Sequence, residues 1–505
     1  MQNETDIIES PQDELLVVEQ ATEVIEIISN TEVLSFPHNL PKVLDIFIGY
    51  NGIPYAAIFE LGNWYALAIG SRRLNNNIRE HARKAGLNLR KHELYEVNEY
   101  LIAQAEISGV VRNVYYRVAP LTGGGIEIDI GDVNHTRVRI QAGKQDVITS
   151  GSKTLFFRTK ATGEMVLPAD TGDFNLLKQY VNLHPASFML FIAWLTYTVA
   201  HPKAKTSKYV ILVLTGNQGS GKSWLCNNVI YALIDPNSIG VQIMPSNPKD
   251  LAIAAQNSHV LCYDNVREFK AQMSDLLCIA ATGGALTSRQ LFTDADQQVL
   301  FMHVALVLNG IHSFIEQPDL AQRCLTLEML PIASQDRQSE LALTEALKHD
   351  LPFITHGLYN LIANIFTQLP NAVITNPERM IDFVQWLAAM EIVMDAPAGT
   401  FQAVYSDSLQ QGQLESLLES SLAVAVMELA KMQSSNDWVG TPAELFAELN
   451  LQASKETKRS REWPANPIAL SKRLRPLQAS LMTQGITLQF SRGKQRIITI
   501  KLEGN

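Results

Sequence analysis

The stretch that decides the fold of this chain is residues 210–223, which read VILVLTGNQGSGKS. An apolar run suited to a buried strand, Val210 to Leu214, enters a glycine-rich turn, and a helical pattern follows the turn. The fixed positions of the phosphate-binding loop motif, G-x-x-x-x-G-K-[ST], are filled by Gly216, Gly221, Lys222 and Ser223. The sequence therefore predicts a strand, a phosphate-binding loop and a helix in immediate succession.

The motif predicts the binding of ATP together with Mg²⁺. Glycines let consecutive backbone N–H groups point at a polyphosphate, and the next helix presents its positive N-terminal end to the same anion. Lys222 has the length to reach the β- and γ-phosphates, and the Ser223 hydroxyl suits a Mg²⁺ ligand position. The residues expected around the nucleotide are Gly216, Asn217, Gln218, Gly219, Ser220, Gly221, Lys222, Ser223 and Trp224.

Composition indicates several globular domains. The chain has 505 residues, of which 46% are apolar and 18% charged. Its four cysteines lack C-x-x-C spacing and are expected to be reduced core residues rather than disulfides or zinc ligands. The longest apolar stretch, residues 188–200, is too short to span a bilayer, and the acidic N-terminus does not resemble a signal peptide. We expect a cytoplasmic protein without a membrane partner.

Charge is distributed unevenly along the chain. The net charge is −10, yet residues 455–501 hold eleven Lys/Arg against two Glu, a local charge of +9. Residues 1–36 hold nine Asp/Glu and no Lys/Arg, which predicts a disordered tail. A second basic cluster, opposed only by Glu80, consists of Arg72, Arg73, Arg79, Arg83, Lys84, Arg90 and Lys91. Both a solvated helix face and a DNA contact are open interpretations of that cluster.

The sequence predicts an α/β protein. The order of its helical, strand and charge patterns divides the chain into six segments. They are an acidic tail (1–36), a small basic mixed domain (37–110), a β-rich collar with connecting helices (111–200), an ATPase core (201–335), a helical domain (336–435) and a C-terminal domain (436–505). The first three form an N-terminal α+β region. Within the helical domain we expect stops at Pro352, Pro370 and Pro377.

Polar residues follow buried strand patterns in the ATPase core. Asp264 ends an apolar run and is the candidate carboxylate for the Mg²⁺ held by Ser223. Asn309 ends another run; it either positions the attacking water or forms an ordinary Asn-Gly turn. Arg323 either pairs with Asp319 or acts as an arginine finger on a neighbouring subunit's γ-phosphate.

The last 70 residues read as two helices and a hairpin. We expect a short helix over 438–449, a charged loop over 455–462 and a basic helix over 467–483, followed by a hairpin with a basic tip. That order is typical of a winged helix, which contacts either DNA or another protein. The candidate DNA contacts here are Lys472, Arg473, Arg475, Arg492 and Lys494.

The order of these motifs resembles a known family. The segments that carry the resemblance are Asn247-Pro248-Lys249-Asp250-Leu251, Tyr263-Asp264-Asn265-Val266, Ala281-Thr282-Gly283-Gly284, Leu308-Asn309-Gly310-Ile311 and Asp319-Leu320-Ala321-Gln322-Arg323. They resemble the superfamily 3 and MCM-like AAA+ replicative helicases of phages, plasmids and mobile cassette elements. The resemblance implies a hexameric ring with ATP at subunit interfaces and DNA in a central pore. We expect single- and double-stranded DNA as partners, together with a primase or polymerase. The resemblance also implies roles for Asn309 as sensor, Arg323 as trans arginine and residues 289–301 as a hairpin facing DNA.

Two features depart from that family. Asn265 stands where a second carboxylate is common, and an amide orients water but does not accept its proton, so Glu268 is a reserve candidate for the base. The hairpin tip, residues 293–297, is acidic, which leaves Arg289 and His303 at the hairpin base as candidate DNA contacts. Two function classes compete: a DNA helicase or translocase, and an ATPase switch or loader that binds DNA without unwinding it.

Overall fold

A computed structural model of the chain describes residues 45–84, 86–204, 206–267, 270–289, 297–311, 314–315, 317–433, 437–459, 463–492 and 495–503. The described residues form two units. Unit 1 contains residues up to 119, 127–138 and 147–160, and unit 2 contains 120–126, 139–146 and the residues from 161 onward. The expected acidic tail lies outside the described residues, and the six-segment division stays a prediction.

Unit 1 is built on a four-stranded sheet of order β3-β2-β1-β4. Its elements are β1 (Asp45–Gly49), β2 (Pro54–Glu60), β3 (Asn63–Ala68), α1 (Arg72–Lys84), α2 (Lys91–Ser108) and β4 (Val111–Arg112). Successive side chains of β2 point to opposite faces. Ile58 therefore joins a hydrophobic cluster with Leu74 and Ile78 of α1, whereas Tyr55 joins a second cluster with Phe47.

A second four-stranded sheet has the order β5-β6-β7-β8. Its strands are β5 (Val118–Pro120), β6 (Ile126–Asp129), β7 (Arg137–Gln141) and β8 (Lys144–Ile148). Asp129 is buried and accepts hydrogen bonds from Arg137 and from Arg158, the latter at 2.6 and 2.7 Å. Burial alone would raise its pKa, but the two arginines lower the pKa of Asp129 to about 2. The arginines of this interior are thus paired, as buried charges require.

Unit 2 contains a five-stranded parallel sheet of order β10-β11-β14-β9-β15. Its strands are β9 (Ile211–Thr215), β10 (Gln242–Ile243), β11 (Val260–Asp264), β14 (Ala305–Asn309) and β15 (Cys324–Glu328), and a separate hairpin consists of β12 (Gly284–Arg289) and β13 (Gln297–Met302). The central strands are apolar up to their last residue, which is typical of parallel strands covered on both faces. The expected α/β class with a parallel sheet is confirmed.

Helices surround this sheet. A 3₁₀ turn (Phe174–Gln179) precedes α3 (Pro185–Ala200), and α4 runs on from β9 as three segments, Lys222–Trp224, a π-helical Leu225–Ile230 and Tyr231–Ile234. The others are α5 (Pro248–Gln256), α6 (Ala271–Thr282), α7 (Pro318–Ala321), α8 (Glu340–Gln368), α9 (Ile381–Val393), α10 (Thr400–Glu419) and α11 (Ser421–Met432). The four cysteines are free and buried, as expected.

The apolar helix α3 is an interior element. The Trp194 indole N–H donates to the Val210 carbonyl at 2.8 Å, which ties α3 to the strand before the phosphate-binding loop. The Trp386 indole of α9 donates to Thr196 Oγ1 at 3.1 Å. Among the helices of the described ranges, none combines the length and the apolar composition needed to cross a membrane.

The predicted helix stop at Pro352 is wrong. Pro352 lies inside α8, which continues for 29 residues from Glu340 to Gln368. Buried residues on both sides of the proline, Leu347 and Leu358 among them, hold the helix against the core. Tertiary packing of that face outweighs the backbone hydrogen bond that proline cannot donate.

The C-terminal region combines a three-stranded sheet of order β16-β18-β17 with helices. Its elements are β16 (Trp438–Gly440), α12 (Pro442–Gln452), α13 (Lys455–Arg459), α14 (Pro467–Met482), β17 (Ile486–Arg492) and β18 (Arg496–Leu502). The helix expected from 438 begins only at Pro442, because Thr441 and Glu444 form a capping box. The loop expected over 455–462 is helical at 455–459, and 460–462 lie outside the described residues.

Gly357 lies where α8 comes close to the backbone of the segment before α3, and a substitution there tests that close approach. A Cβ at Gly357 would overlap the backbone nitrogen of Phe174 and lie 2.7 Å from the carbonyl carbon of Asp173. We expect Gly357→Ala to destabilise the protein by about 1–3 kcal/mol, because the added methyl meets backbone. Denaturant midpoints measured by circular dichroism check this.

Gly412→Ala in α10 is the matched control. Its nearest neighbour would be Thr326 Oγ1 at 3.5 Å, an ordinary contact, so alanine should be neutral or stabilising by up to about 1 kcal/mol through helix propensity. A Gly357→Ala midpoint at or above that of the unchanged chain would contradict the close approach.

Candidate functional site

The loop between β9 and α4 has the backbone geometry that its glycines allow. Gly216 has φ +135°, and a Cβ there would lie 2.6 Å from the Met329 carbonyl oxygen beyond β15. Gly221 is the N-cap of α4 with φ +89°, a left-handed conformation that residues with a Cβ rarely adopt. Both positions thus have a steric reason to be glycine, and both lie in the predicted phosphate-binding loop.

Lys222 points into this loop. Its ammonium donates to the carbonyls of Gly216 and Asn217 at 2.6 and 3.0 Å and to Ser220 Oγ at 3.2 Å. Burial lowers the pKa of Lys222, and the charge of Asp264 acts in the opposite direction. The loop therefore holds a lysine at its centre, at the position where the motif places a phosphate-binding cation.

Ser223 and Asp264 meet at the carboxyl end of the sheet. Ser223 Oγ donates to Asp264 Oδ2 at 2.6 Å, although the two residues are 41 positions apart in sequence. Asp264 is the last residue of β11, and β14 separates β11 from β9 in the sheet. The sequence therefore located both partners of this contact.

This oxygen pair fits a Mg²⁺ ion. Hydroxyl and carboxylate oxygens are the ligands that this hard cation prefers, and Mg²⁺ commonly takes the rest of its shell from water and phosphate. Among the described residues there is no group of three or more His, Cys, Asp or Glu side chains suited to hold a metal on its own. Ser223 and Asp264 are thus the residues that would hold Mg²⁺.

Asn309 and Asn265 lie beside this pair. Asn309 ends β14 and is fully buried; its Oδ1 accepts from the Asn265 backbone N–H at 3.4 Å, and its Nδ2 donates to Cys226 Sγ at 3.9 Å. Asn265 is exposed with φ +58°, a left-handed conformation that asparagine tolerates well. Asn309 therefore connects the tip of β11 to α4, which an ordinary Asn-Gly turn would not require. Glu268, the reserve candidate for the base, lies outside the described residues.

Arg323 follows α7 and pairs with Asp319. The guanidinium lies 3.3 Å from Asp319 Oδ2, so the ion-pair interpretation describes its contact within the chain. Arg379, which the sequence did not indicate, also reaches Asp319, at 2.5 Å, and donates to Gln322 Oε1 at 2.9 Å. Burial tends to raise the pKa of Asp319, but the two arginines lower it below its usual range. Because Asp319 has a second partner, it does not depend on Arg323 for its charge balance.

Further side chains near the loop were missed by the sequence interpretation. An Arg337 guanidinium nitrogen lies 3.7 Å from the position that a Cβ of Gly219 would take, so Arg337 stands next to the phosphate-binding loop. The Trp224 ring stacks on Tyr180 at 6.4 Å, and Tyr180 donates to Asp350 Oδ2 at 2.7 Å. No local motif marks these residues, because they come from segments far apart in sequence.

Of the two hairpin candidates, His303 lies away from the carboxyl edge of the five-stranded sheet. Arg289 pairs with Gln297 at the end of the described hairpin, and residues 290–296 lie outside the described residues. His303 precedes β14, at the opposite end of that strand from Asn309, and its ring lies 4.9 Å from that of Tyr209. Burial lowers the pKa of His303 to about 4, so its imidazole is neutral near pH 7. Their DNA contacts stay predictions.

The basic C-terminal candidates lie on α14 and on the hairpin that follows it. Lys472, Arg473 and Arg475 are exposed, while Leu470 and Leu474 are buried. The Arg475 guanidinium lies 5.0 Å from the centre of the Phe490 ring. The Arg492 side chain and all of Lys494 lie outside the described residues. The structure thus brings three of the five candidates onto one exposed helix surface.

The fold and the site together define an α/β protein that carries a loop of phosphate-binding sequence between a parallel strand and a helix. Two family models match the chain. Residues 175–411 match AICE_RepA, described as actinomycete integrative conjugative element replication protein, and residues 422–505 match the AICE RepA C-terminal domain. The matches follow one another and together cover more than half of the chain, which is therefore similar to AICE RepA replication proteins from residue 175 onward.

The solved structures that match the chain do so at low identity and with low TM-scores. The chain is similar to the NrS-1 C-terminal region at 13% identity, with 93% of this chain and 100% of that chain covered and a TM-score of 0.40. It is also similar to JCV helicase at 15% identity, with 46% and 66% covered and a TM-score of 0.21. No curated protein matches the chain significantly.

The contact between Ser223 and Asp264 predicts how nucleotide binding responds to Mg²⁺. We expect Ser223→Ala to weaken the Mg²⁺-dependent part of ATP-analogue binding at least about tenfold, because the Mg²⁺ that neutralises the phosphates loses one of its protein ligands. Ser223→Thr keeps the hydroxyl, also satisfies the motif, and should bind like the unchanged chain. Fluorescent ATP-analogue titrations with and without Mg²⁺ measure this. Equal Mg²⁺ dependence in the alanine variant would remove Ser223 from the metal site.

Proposed function

We propose that this chain is an ATP-dependent DNA helicase or translocase that works as a hexameric ring in the replication of a mobile element. The observation that carries the proposal is the hydrogen bond between Ser223 and Asp264, set beside a phosphate-binding loop at the carboxyl edge of a parallel sheet. The match to AICE RepA replication proteins supports the replication context. The proposal includes an AAA+ core and a C-terminal winged helix.

The phosphate-binding loop would hold the nucleotide through this chain's own groups. Backbone N–H groups of residues 216–223 would bind phosphate oxygens, and the Lys222 ammonium would exchange its loop carbonyls for the β- and γ-phosphates. Bound Mg²⁺ supplies neutralisation of the charge that develops on the phosphates. Asn265 would orient the attacking water, and buried Asn309 would keep the Asn265 backbone in place.

The trans role of Arg323 rests on its arrangement with Asp319 and Arg379. Arg323 has a side-chain exposure of 17% and lies next to the more exposed Arg379. Because Arg379 can continue to neutralise Asp319, Arg323 can leave its ion pair for a neighbouring subunit's γ-phosphate at lower electrostatic cost. That exchange would complete the active site only in an assembled ring.

Asn265 favours a second candidate function, an ATPase switch or loader that binds DNA without unwinding it. Its amide cannot accept the proton of the attacking water, so hydrolysis without another base would be slow. A slow ATPase suits a switch better than a motor. Unwinding of DNA separates the two functions.

Mixed subunits test the active site between subunits. We expect Lys222→Ala and Arg323→Ala proteins each to lose ATP hydrolysis, since one lacks the phosphate-binding cation and the other the charge donated to its neighbour. Mixing them should restore part of the activity, because some interfaces then pair an intact Lys222 with an intact Arg323. A phosphate-release assay measures this.

Arg379→Ala tests the ion-pair cluster. It leaves Asp319 to Arg323, so Arg323 should leave its ion pair less readily, and hydrolysis should fall in part but less than in Arg323→Ala. If freely exchanging mixtures show no rescue, Arg323 has a role only within its own subunit.

The exposed face of α14 predicts DNA binding with a steep dependence on salt. We expect substitution of Lys472, Arg473 and Arg475 by alanine to weaken binding similarly across sequences and to reduce the salt slope by up to about three if each side chain meets one phosphate. Fluorescence anisotropy at several salt concentrations measures both quantities. The three side chains are exposed, unlike the neighbouring Leu474, so the fold should persist.

Two outcomes would change this account of α14. A loss confined to one DNA sequence would indicate base readout, and unchanged binding to all DNA would indicate a protein-contact role. Substitution is preferable to truncation here, because Leu422 and Val426 of α11 share a hydrophobic cluster with Leu470 and Ile498.

A further inference from the structure

The exposed face of α1 in unit 1 is a row of polar and basic side chains. Leu74, Ile78 and Ala82 are buried and fix the inward face of this helix. The exposed side chains that follow one helical stripe, at steps of four, three and four residues, are Arg72, Asn76, Arg79 and Arg83. At 1.5 Å per residue the row extends about 16 Å along the helix. We call these four residues the α1 row.

Some other arginines of unit 1 are paired with carboxylates, unlike those of the α1 row. Arg112 lies 2.5 Å from Asp45, and Arg158 lies 2.6 Å from Asp129. Within the described ranges, by contrast, no carboxylate lies within ion-pair distance of the three arginines of the row. Glu80 is the only acidic residue in α1, and its partner is Lys84, at 3.0 Å. The row therefore faces solvent without an ion pair among the described residues, although Glu80 attracts Arg83 at longer range.

Helix stability does not account for this charge. Cations are favourable near the C-terminal end of a helix and unfavourable at its N-terminal end. Arg83 lies at the favourable end, but Arg72 and Arg73 occupy a first turn that has no acidic residue. Arg73 has a structural role, because its guanidinium lies 4.8 Å from the centre of the Tyr65 ring and 3.3 Å from His135 Nε2. Arg72 has no such contact among the described residues, so the fold gains nothing from its charge.

A hydrogen-bond network fixes the start of α1. Asn98 of α2 accepts from the Gly70 backbone N–H at 3.2 Å and donates to Asn75 Oδ1 at 2.9 Å, while Asn75 donates to the Gly70 carbonyl at 3.1 Å. Together with the buried residues of α1, this network holds the helix backbone in one position. The α1 row is therefore presented on a rigid element, which reduces the ordering cost of binding.

We propose that the α1 row binds the phosphodiester backbone of DNA, as a second nucleic-acid surface in unit 1 that is distinct from the basic face of α14. Guanidinium groups match phosphate oxygens in geometry, and asparagine side chains commonly donate to the same groups. A row of about 16 Å exceeds a single phosphate and fits a repeating anion that can meet several arginines in sequence. The chain as a whole has a net charge of −10, so a row of arginines without ion pairs is a local basic surface that suits an anionic partner.

The test compares two triple variants of the full-length chain. Arg72→Ala/Arg79→Ala/Arg83→Ala removes the charge, and Arg72→Lys/Arg79→Lys/Arg83→Lys keeps it on side chains of similar length. Binding to a labelled single strand and to a labelled duplex is measured by anisotropy over a series of salt concentrations, without ATP. Melting curves confirm that both variants fold.

We expect the alanine variant to bind at least about tenfold more weakly at low salt and to show a salt slope reduced by about two to three, since each phosphate contact contributes about 0.9 for duplex and about 0.7 for single strands. The lysine variant should keep most of the slope. A larger effect on one of the two DNAs identifies which form the row binds.

The proposal fails if the alanine variant binds both DNAs with the affinity and salt slope of the unchanged chain. The same comparison in the Lys472→Ala/Arg473→Ala/Arg475→Ala background prevents the C-terminal surface from masking a loss. A row covered by the chain's own acidic residues 1–36 would give this negative result as well, and would contradict the DNA assignment. Because no ATP is present, the result is independent of whether the chain hydrolyses ATP.

Discussion

The hydrogen bond from Ser223 to Asp264 depends on a constraint of the parallel sheet: strands that run in one direction bring their carboxyl ends to one edge. The phosphate-binding loop follows β9 at that edge, and Asp264 is the last residue of β11 at the same edge. The strand between them, β14, ends in Asn309, whose buried amide contacts both the Asn265 backbone and Cys226 of α4. Each polar group of the site is therefore positioned by the end of a strand whose own residues are apolar. A shift of one strand in the sheet would separate the serine from its carboxylate.

Much of this site could be predicted from the sequence, and the reason is local. The loop motif is continuous, and Asp264 and Asn309 each follow an apolar run, so strand ends could be recognised without knowing the sheet order. Arg337 and Arg379 could not be recognised, because their relation to the loop and to Asp319 arises only from tertiary packing. Pro352 shows the limit of local rules, since the buried face of α8 outweighs its tendency to end a helix. The start of α12 was predicted too early, at 438, although Thr441 and Glu444 have the spacing of a capping box.

Charge pairing distinguishes the structural from the exposed basic residues of this acidic chain. Asp129 compensates the buried arginines beside it, whereas the α1 row and the basic face of α14 lie in solvent. From the sequence alone the basic cluster around α1 had two interpretations, of which a solvated helix face was the simpler and a DNA contact the other. The structure shows which of these arginines have partners and which helix end they occupy, and the DNA contact stays a proposal. Two basic surfaces would let one chain hold DNA at more than one point while its overall charge repels nucleic acid elsewhere.

The central claim is that ATP hydrolysis by this chain moves DNA. Strand displacement from a forked duplex, followed by fluorescence in the presence of Mg²⁺, tests it most directly. The account predicts that the strand is released with ATP and not with a non-hydrolysable analogue, and that a Lys222→Ala protein releases none. Hydrolysis of ATP that is unchanged by DNA, with no strand released at any protein concentration, would contradict it and leave a DNA-binding ATPase that does not unwind.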